Sequence, residues 1–91
     1  MMRAMGIGEP IRILKTSGES HPLEFAWRGR RHYVRTIEGY RSDVERRGSK
    51  VRERKRYQLI TADGLHCGIS FELNRRIWRM ESLTGRKVRR A

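Results

Sequence analysis

Hydrophobic and polar residues alternate in short runs along most of the chain, which is typical of β-strands that bury one face. The clearest run is residues 66–73, in which every second side chain is apolar. The apolar positions of that run share one face and are Cys67, Ile69, Phe71 and Leu73. Other runs are rich in β-branched and aromatic residues, which strands favour. Together the runs predict strands over residues 11–15, 23–27, 32–38, 56–61, 66–73 and 77–83.

Runs that are separated by turn-forming residues are predicted to pair as hairpins. Gly29 lies in the turn at residues 28–31, where its freedom to adopt a positive φ suits a tight reversal. Asp63 and Gly64 form the Asp-Gly pair that is common in hairpin turns. Aromatic residues on the alternating faces are expected in the core, and these are Phe25, Trp27 and Phe71.

The order of the runs predicts the fold class. Strands do not alternate with amphipathic helices, which argues against a parallel α/β sheet. We predict an all-β fold of about six short antiparallel strands, in a strongly bent sheet or a small, partly open barrel with a long basic loop. One domain is expected over residues 10–84, preceded by a disordered leader at residues 1–9 and followed by a basic tail at residues 85–91.

Residues 39–55 interrupt the alternating pattern, because they hold few apolar residues and many charged ones. Ser42 followed by Glu45 could cap a short helical turn over residues 42–47. A mobile basic loop over the whole segment is the preferred interpretation. Long loops without regular structure are usually functional or disordered.

The excess of basic over acidic residues indicates which kind of partner the chain is expected to bind. The chain has 22 Lys and Arg residues against 10 Asp and Glu residues, a formal net charge of +12. Such an excess attracts polyanions, and arginine, which dominates the basic set, presents a planar fork of donors that suits phosphate groups. Nucleic acid is therefore the expected partner. An acidic protein or a membrane surface is the alternative partner. The least specific explanation is that the charge serves only solubility.

The candidate nucleic-acid-binding residues fall into three groups along the chain. The predicted hairpin turn contributes Arg28, Arg30 and Arg31. The predicted loop contributes Arg46, Arg47, Lys50, Arg52, Arg54, Lys55 and Arg56. The tail contributes Arg86, Lys87, Arg89 and Arg90. Contacts of this kind act through phosphate groups and carry little base specificity.

Catalysis and metal binding find little support in the residues. His21, His32 and His66 are scattered and belong to no nucleophile or metal-binding motif. Cys67, the single cysteine, cannot form an internal disulfide and is expected to be a small core residue. We expect no enzymatic activity, no cofactor and no metal. The lone cysteine favours the cytoplasm. No apolar run approaches the ~20 residues that a membrane span needs, so we predict no membrane span.

Two stretches resemble a small bacterial β-domain family of uncharacterised function. The first resembles P-I-x-V-L followed by F-x-W-R-G-R-x-Y-x-V, and the second resembles Y-x-V-x-T-x-D-G-x-x-F-E-L followed by W-x-L. The matching residues are 10–14, 25–34, 57–61, 71–73 and 78–80, with Asp63 and Gly64. The chain departs from the pattern at residues 68–70, an insertion ahead of Phe71 that lengthens the strand or adds a bulge.

The resemblance covers residues 10–83 and implies a β domain that occurs alone or with error-prone polymerase-like proteins of the DNA-damage response. It carries no catalytic residues to this chain. Together with the charge, it predicts a non-enzymatic nucleic-acid-binding or DNA-repair and polymerase accessory module. The alternative is a protein-interaction module that docks onto an acidic partner, and an enzyme fragment or ligand pocket is a third interpretation.

Overall fold

Six antiparallel β-strands joined by turns make up the structure, a computed structural model that describes residues 8–84. Each predicted strand overlaps one observed strand, so the all-β class is confirmed. The strands are β1 (Pro10–Thr16), β2 (Pro22–Trp27), β3 (Arg30–Arg47), β4 (Lys50–Thr61), β5 (His66–Glu72) and β6 (Ile77–Thr84). Within the described residues no helix is long and apolar enough to cross a lipid bilayer.

The strands form a closed barrel in which each pairs with its neighbours in sequence and β1 also pairs with β6. The β1–β6 seam is short, since only Pro10 with Arg79 and Ile11 with Trp78 are in register. Closure removes the exposed strand edges that an open sheet would leave. The prediction of a bent sheet or partly open barrel is therefore sharpened to a closed one.

A small apolar core fills the barrel. Its buried members are Ile11, Phe25, Tyr57, Leu59, Cys67, Ile69 and Met80. Trp27 is half-buried and packs against this core, and Phe71 is half-buried against Trp78. The expectation that these aromatic residues are structural is thus met, fully for Phe25 and partly for the other two.

Two shifts in strand register differ from what the sequence pattern predicts. Leu23 alternates with Phe25 along the chain and would share its buried face in a regular strand, but it is 38% exposed, because the β1–β2 register shifts there and leaves Leu23 as an extra residue in β2. The irregularity expected near residues 68–70 occurs, but the extra residue, Glu81, lies in β6 rather than in β5.

Residues 39–55 are not a loop, which corrects the sequence-based prediction, and residues 42–47 are not helical. The segment continues β3 and β4 into a long hairpin that turns at Gly48 and Ser49. Gly48 has a φ of 63° and Ser49 has a negative φ, as in the two-residue turns with glycine in first position that match strand twist. We call residues 41–56 of this hairpin the arm.

Two β-bulges explain why the alternation of apolar and polar residues does not predict the strands of the arm. The β3–β4 register shifts between Val34 and Thr36 and again between Ile37 and Gly39, so β3 holds an extra residue at each place. Inward positions of β3 therefore recur every third residue, at Val34, Ile37 and Tyr40, whose partners on β4 are Thr61, Leu59 and Tyr57. A period of two cannot detect a strand that is spaced in this way.

The described part of the predicted leader is fixed to the barrel, which corrects the boundary at residue 9. The Gly8 N–H donates to the Met80 carbonyl over 2.6 Å, and the Met80 N–H donates to the Glu9 carbonyl over 2.8 Å. These bonds extend the short β1–β6 seam. Residues 1–7 of the predicted leader and the whole tail at residues 85–91 lie outside the described residues.

Candidate nucleic-acid interface

The arm has two faces because paired residues of antiparallel strands point to the same side and successive residues alternate. Tyr57 is buried in the barrel, so the face that includes its partner Tyr40 is continuous with the barrel interior, and we call it the inner face. The opposite side is the outer face.

Basic residues concentrate on the outer face. The cross-strand pairs there are Arg41 with Arg56, Asp43 with Arg54, Glu45 with Arg52, and Arg47 with Lys50. This face therefore carries six basic side chains against two acidic ones. The inner face carries Tyr40, Ser42, Val44, Arg46, Val51, Glu53, Lys55 and Tyr57, with only two basic residues.

Ion pairs on the outer face are exposed and mostly loose. Asp43 lies 3.0 Å from Arg56 Nε and 3.5 Å from Arg41 Nε. Arg47 lies 3.8 Å from Glu45, and Arg52 lies 3.7 Å from Glu72 on β5. Among residues 8–84, no carboxylate oxygen lies within 4.0 Å of a side-chain nitrogen of Lys50 or Arg54. Much of the positive charge is therefore available to a ligand.

The predicted hairpin turn at residues 28–31, which we call the tip, is a tight turn in the structure. One of its arginines already forms hydrogen bonds to a carboxylate of the same chain. Arg28 and Gly29 both have positive φ, at 53° and 76°, which confirms the turn role of Gly29. The Arg28 guanidinium donates to both carboxylate oxygens of Glu9, over 2.8 and 2.6 Å, and Trp27 Nε1 donates to Glu9 over 2.9 Å. The hydrogen bond from Arg28 lowers the pKa of Glu9, and the same bond raises the pKa of Arg28.

The other two arginines of the tip differ from each other. Arg31 lies 3.3 Å from Glu24, whereas Arg30 has no carboxylate within 4.0 Å among the described residues. The tip and the turn of the arm lie at opposite ends of β3, which has 18 residues. At about 3.3 Å per residue the two are separated by tens of ångströms. The structure thus does not bring the two predicted basic groups into one surface.

A row of aromatic rings lies where the inner face of the arm meets the barrel. Tyr40 is 4.9 Å from Tyr57 between ring centroids, and Trp78 is 5.8 Å from Tyr57. The Tyr57 hydroxyl is 3.3 Å from His21 Nδ1, and burial raises the pKa of Tyr57, with the nearby Tyr40 as a smaller cause. Most of this row packs against itself, so phosphate contact is better supported than base stacking.

The arm is anchored by the β5–β6 turn. The Asn74 side chain accepts a hydrogen bond from the Glu53 N–H over 3.2 Å and donates to the Val51 carbonyl over 3.1 Å. The Leu73 N–H also donates to the Glu53 carbonyl over 3.0 Å. Asn74 therefore replaces the main chain of a neighbouring strand at the point where pairing with β5 has ended.

No constellation suited to catalysis emerges among the candidates. Cys67 is buried, and burial together with the charge of Asp63 raises the pKa of its thiol to about 11. His32 is buried with neither ring nitrogen hydrogen-bonded, and its Nδ1 is 3.9 Å from Asp63. Within residues 8–84, no three side chains among His, Cys, Asp and Glu come together as a metal site.

Sequence reasoning missed two basic residues that the structure brings to the interface. Arg41 lies on the outer face, and Arg75 lies in the β5–β6 turn beside the end of the arm. The glycine-serine pair at residues 48 and 49 is a known hairpin signal, and with it a period of two would have grouped Arg41 with Arg47. Conversely, Arg46 and Lys55 were grouped with the loop but lie on the inner face.

These features define a small closed six-stranded β-barrel with a basic two-stranded arm. Within this class, the chain belongs to a family that is described as a domain of unknown function, DUF6504, whose profile matches residues 2–90. The expected membership of an uncharacterised small-domain family is confirmed. No curated protein and no solved structure matches the chain.

Proposed function

We propose that this chain is a non-enzymatic nucleic-acid-binding module that contacts the phosphate backbone through the outer face of the arm. The observation that carries the proposal is the segregation of six basic and two acidic side chains onto that one face. Binding is charge-led and largely independent of sequence, since phosphate contacts position a protein without reading bases.

The shape of the arm suits an extended polyanion. Outer-face residues recur every second position, about 6.6 Å apart along each strand, so the stretch from Arg41 to Arg47 spans roughly 20 Å. That length corresponds to about six base pairs at 3.4 Å each. A two-stranded β-ribbon is also one of the elements that the major groove of DNA admits.

The ion pairs of the outer face do not oppose binding strongly. Arg47 and Glu45 are 3.8 Å apart, and both side chains are more than half exposed. Exposed pairs of this kind contribute about 0–1 kcal/mol, so transferring the guanidinium to a phosphate costs little.

A role beside DNA-repair or polymerase proteins belongs to the same proposal. It is supported by the resemblance of residues 10–83 to domains that occur with error-prone polymerase-like proteins. An accessory module needs only to hold nucleic acid near a partner that performs the chemistry.

The test is a fluorescence-anisotropy titration with labelled duplex and single-stranded DNA and RNA at ~50 mM salt and above. The outer-face double variant, Arg41→Gln with Arg54→Gln, is expected to lower duplex affinity about tenfold and to reduce the slope of log K against log salt by about 2. Asp43 keeps Arg56 as its partner in this variant, so the fold is not disturbed.

The matched control is the inner-face double variant, Arg46→Gln with Lys55→Gln. It removes the same charge from the same stretch of chain but from the opposite face. We expect its salt slope to equal that of the unmodified protein. Equal losses in both double variants would show that only net charge matters, and absence of binding to every probe at ~50 mM salt would end the proposal.

A protein-docking function is the second candidate, and exposed apolar side chains on the inner face favour it. Val44 is 58% exposed and Val51 is 47% exposed. Neither packs in the core, and both lie on a face without a covering layer among the described residues. Recovery of one stoichiometric acidic protein in a nuclease-treated pull-down, lost in Val44→Thr, would favour this function over the first.

A further inference from the structure

A cavity of about 660 Å³ lies between the end of the arm and the β5–β6 turn. Its volume falls within the range of about 300–1,000 Å³ that small-molecule sites occupy. Residues from both walls line it, and they are Glu45, Arg47, Lys50, Val51, Arg52, Glu72, Asn74 and Arg75.

The two walls of the cavity are held in fixed relation. Asn74 bridges to the main chain of Val51 and Glu53, and Leu73 bonds to Glu53. Because both polar ends of the Asn74 amide are used in this way, Asn74 shapes the cavity and leaves ligand contacts to its neighbours. A pre-formed site loses less conformational entropy when a ligand binds.

The charges around the cavity favour an anionic ligand. Four of the lining residues are basic, Arg47, Lys50, Arg52 and Arg75, and two are acidic. Among residues 8–84, neither Lys50 nor Arg75 has a carboxylate within 4.0 Å. They approach the cavity from opposite walls, so a phosphate between them would receive donors from both sides.

The remaining lining adds acceptors and an apolar surface. Glu45 and Glu72 can accept hydrogen bonds from hydroxyl or amino groups, and the Glu72 side chain is only 13% exposed. Arg47 presents an aliphatic stem and a planar guanidinium that can stack on a flat ring. Phosphate, hydroxyl and amino groups and an apolar ring occur together in a nucleotide.

We propose that this cavity seats an unpaired nucleotide of a strand whose duplex part lies along the outer face of the arm. This inference rests on the proposed nucleic-acid function and deepens it. Arg75 and Lys50 hold the phosphate, the carboxylates accept hydrogen bonds from sugar hydroxyl or base amino groups, and the guanidinium plane of Arg47 stacks on the base. The protein would thus prefer duplexes that carry a single-stranded extension.

The experiment compares a blunt duplex with a duplex that has the same number of phosphates but ends in a short single-stranded overhang. The overhang duplex is expected to bind about tenfold more tightly, a difference of about 1.4 kcal/mol. In Arg75→Asn this preference is expected to fall to about twofold or less.

The matched control is Arg76→Asn, which removes the same charge from the next residue of the same turn. Arg76 does not line the cavity, and asparagine tolerates its positive φ of 57°. The control should keep the full preference for overhangs. Equal affinity of the unmodified protein for both duplexes, or an equal loss of preference in both variants, would overturn the cavity proposal. Failure to bind either duplex would instead overturn the proposed function.

Discussion

Gly68 marks the tightest contact on the outside of the barrel. A Cβ placed on this residue would lie 2.5 Å from Ser82 Oγ and 2.9 Å from Gln58 Nε2. Both neighbours belong to strands that pair with β5, so glycine at this position lets β4 and β6 bring their polar side chains together above it.

Replacement of Gly68 by alanine is expected to destabilise the fold by roughly 1 kcal/mol, because the ends of the Ser82 and Gln58 side chains must rotate away from the new methyl group. Urea denaturation measures the change. Gly18→Ala is the control, since a Cβ there meets nothing within 4 Å. Ser82→Ala in the Gly68→Ala background should restore part of the loss. Equal stability of both alanine variants would contradict the contact.

At the scale of residues, the sequence predicted the local role of a residue better than it predicted which residues that residue contacts. The turn role of Gly29 and the buried position of Cys67 were predictable, because each depends on local chemistry. The pairing of Arg28 with Glu9 was not, since it joins residues 19 positions apart that meet only when the strands pair. The cavity residue Arg75 was hidden for the same reason.

At the scale of elements, the arm shows where a pattern stops being informative. Six strands were predicted because alternation or β-branched composition is intact in the part of each strand that lines the barrel. The extension of β3 beyond residue 38 was not predicted, because two bulges change the spacing of its inward-facing residues from two positions to three over residues 34–40. Beyond them, an arm exposed on both faces carries no hydrophobic alternation.

Asn74→Ala is expected to loosen the arm without unfolding the barrel. Isolated two-stranded hairpins are marginal in water, and the variant removes two hydrogen bonds of about 0.5–1.5 kcal/mol each. Hydrogen exchange of the Glu53 amide, which donates to Asn74, should accelerate about tenfold. Arg75→Asn serves as the control, and equal exchange in both variants would show that Asn74 is not an anchor.

At the scale of the whole molecule, stability should depend on pH at the alkaline side. The pKa of Cys67 rises from 9.0 to about 11 on folding, so the native state disfavours the thiolate. This stabilisation is complete below pH 9 and is lost as pH rises toward 11. The loss approaches about 2–3 kcal/mol, at 1.36 kcal/mol per pH unit. Tyr57, whose pKa burial also raises, adds to the decline at higher pH.

Urea denaturation between pH 7 and 11 checks this expectation. Cys67→Ala should be less stable at neutral pH because it leaves a small cavity, but its stability should decline less steeply above pH 9. Parallel declines in the variant and the unmodified protein would exclude Cys67 as the cause.

The arm also has a free strand edge, because β3 pairs with β2 only through residues 30–33 and nothing among the described residues covers residues 41–47 on that side. A bare edge invites another copy of the chain to add its own strand, which is how β proteins aggregate. Repeated arginines along this edge make such an approach repulsive. The same positive charges therefore oppose strand addition by another copy of the chain, and we expect a change that neutralises them to favour self-association.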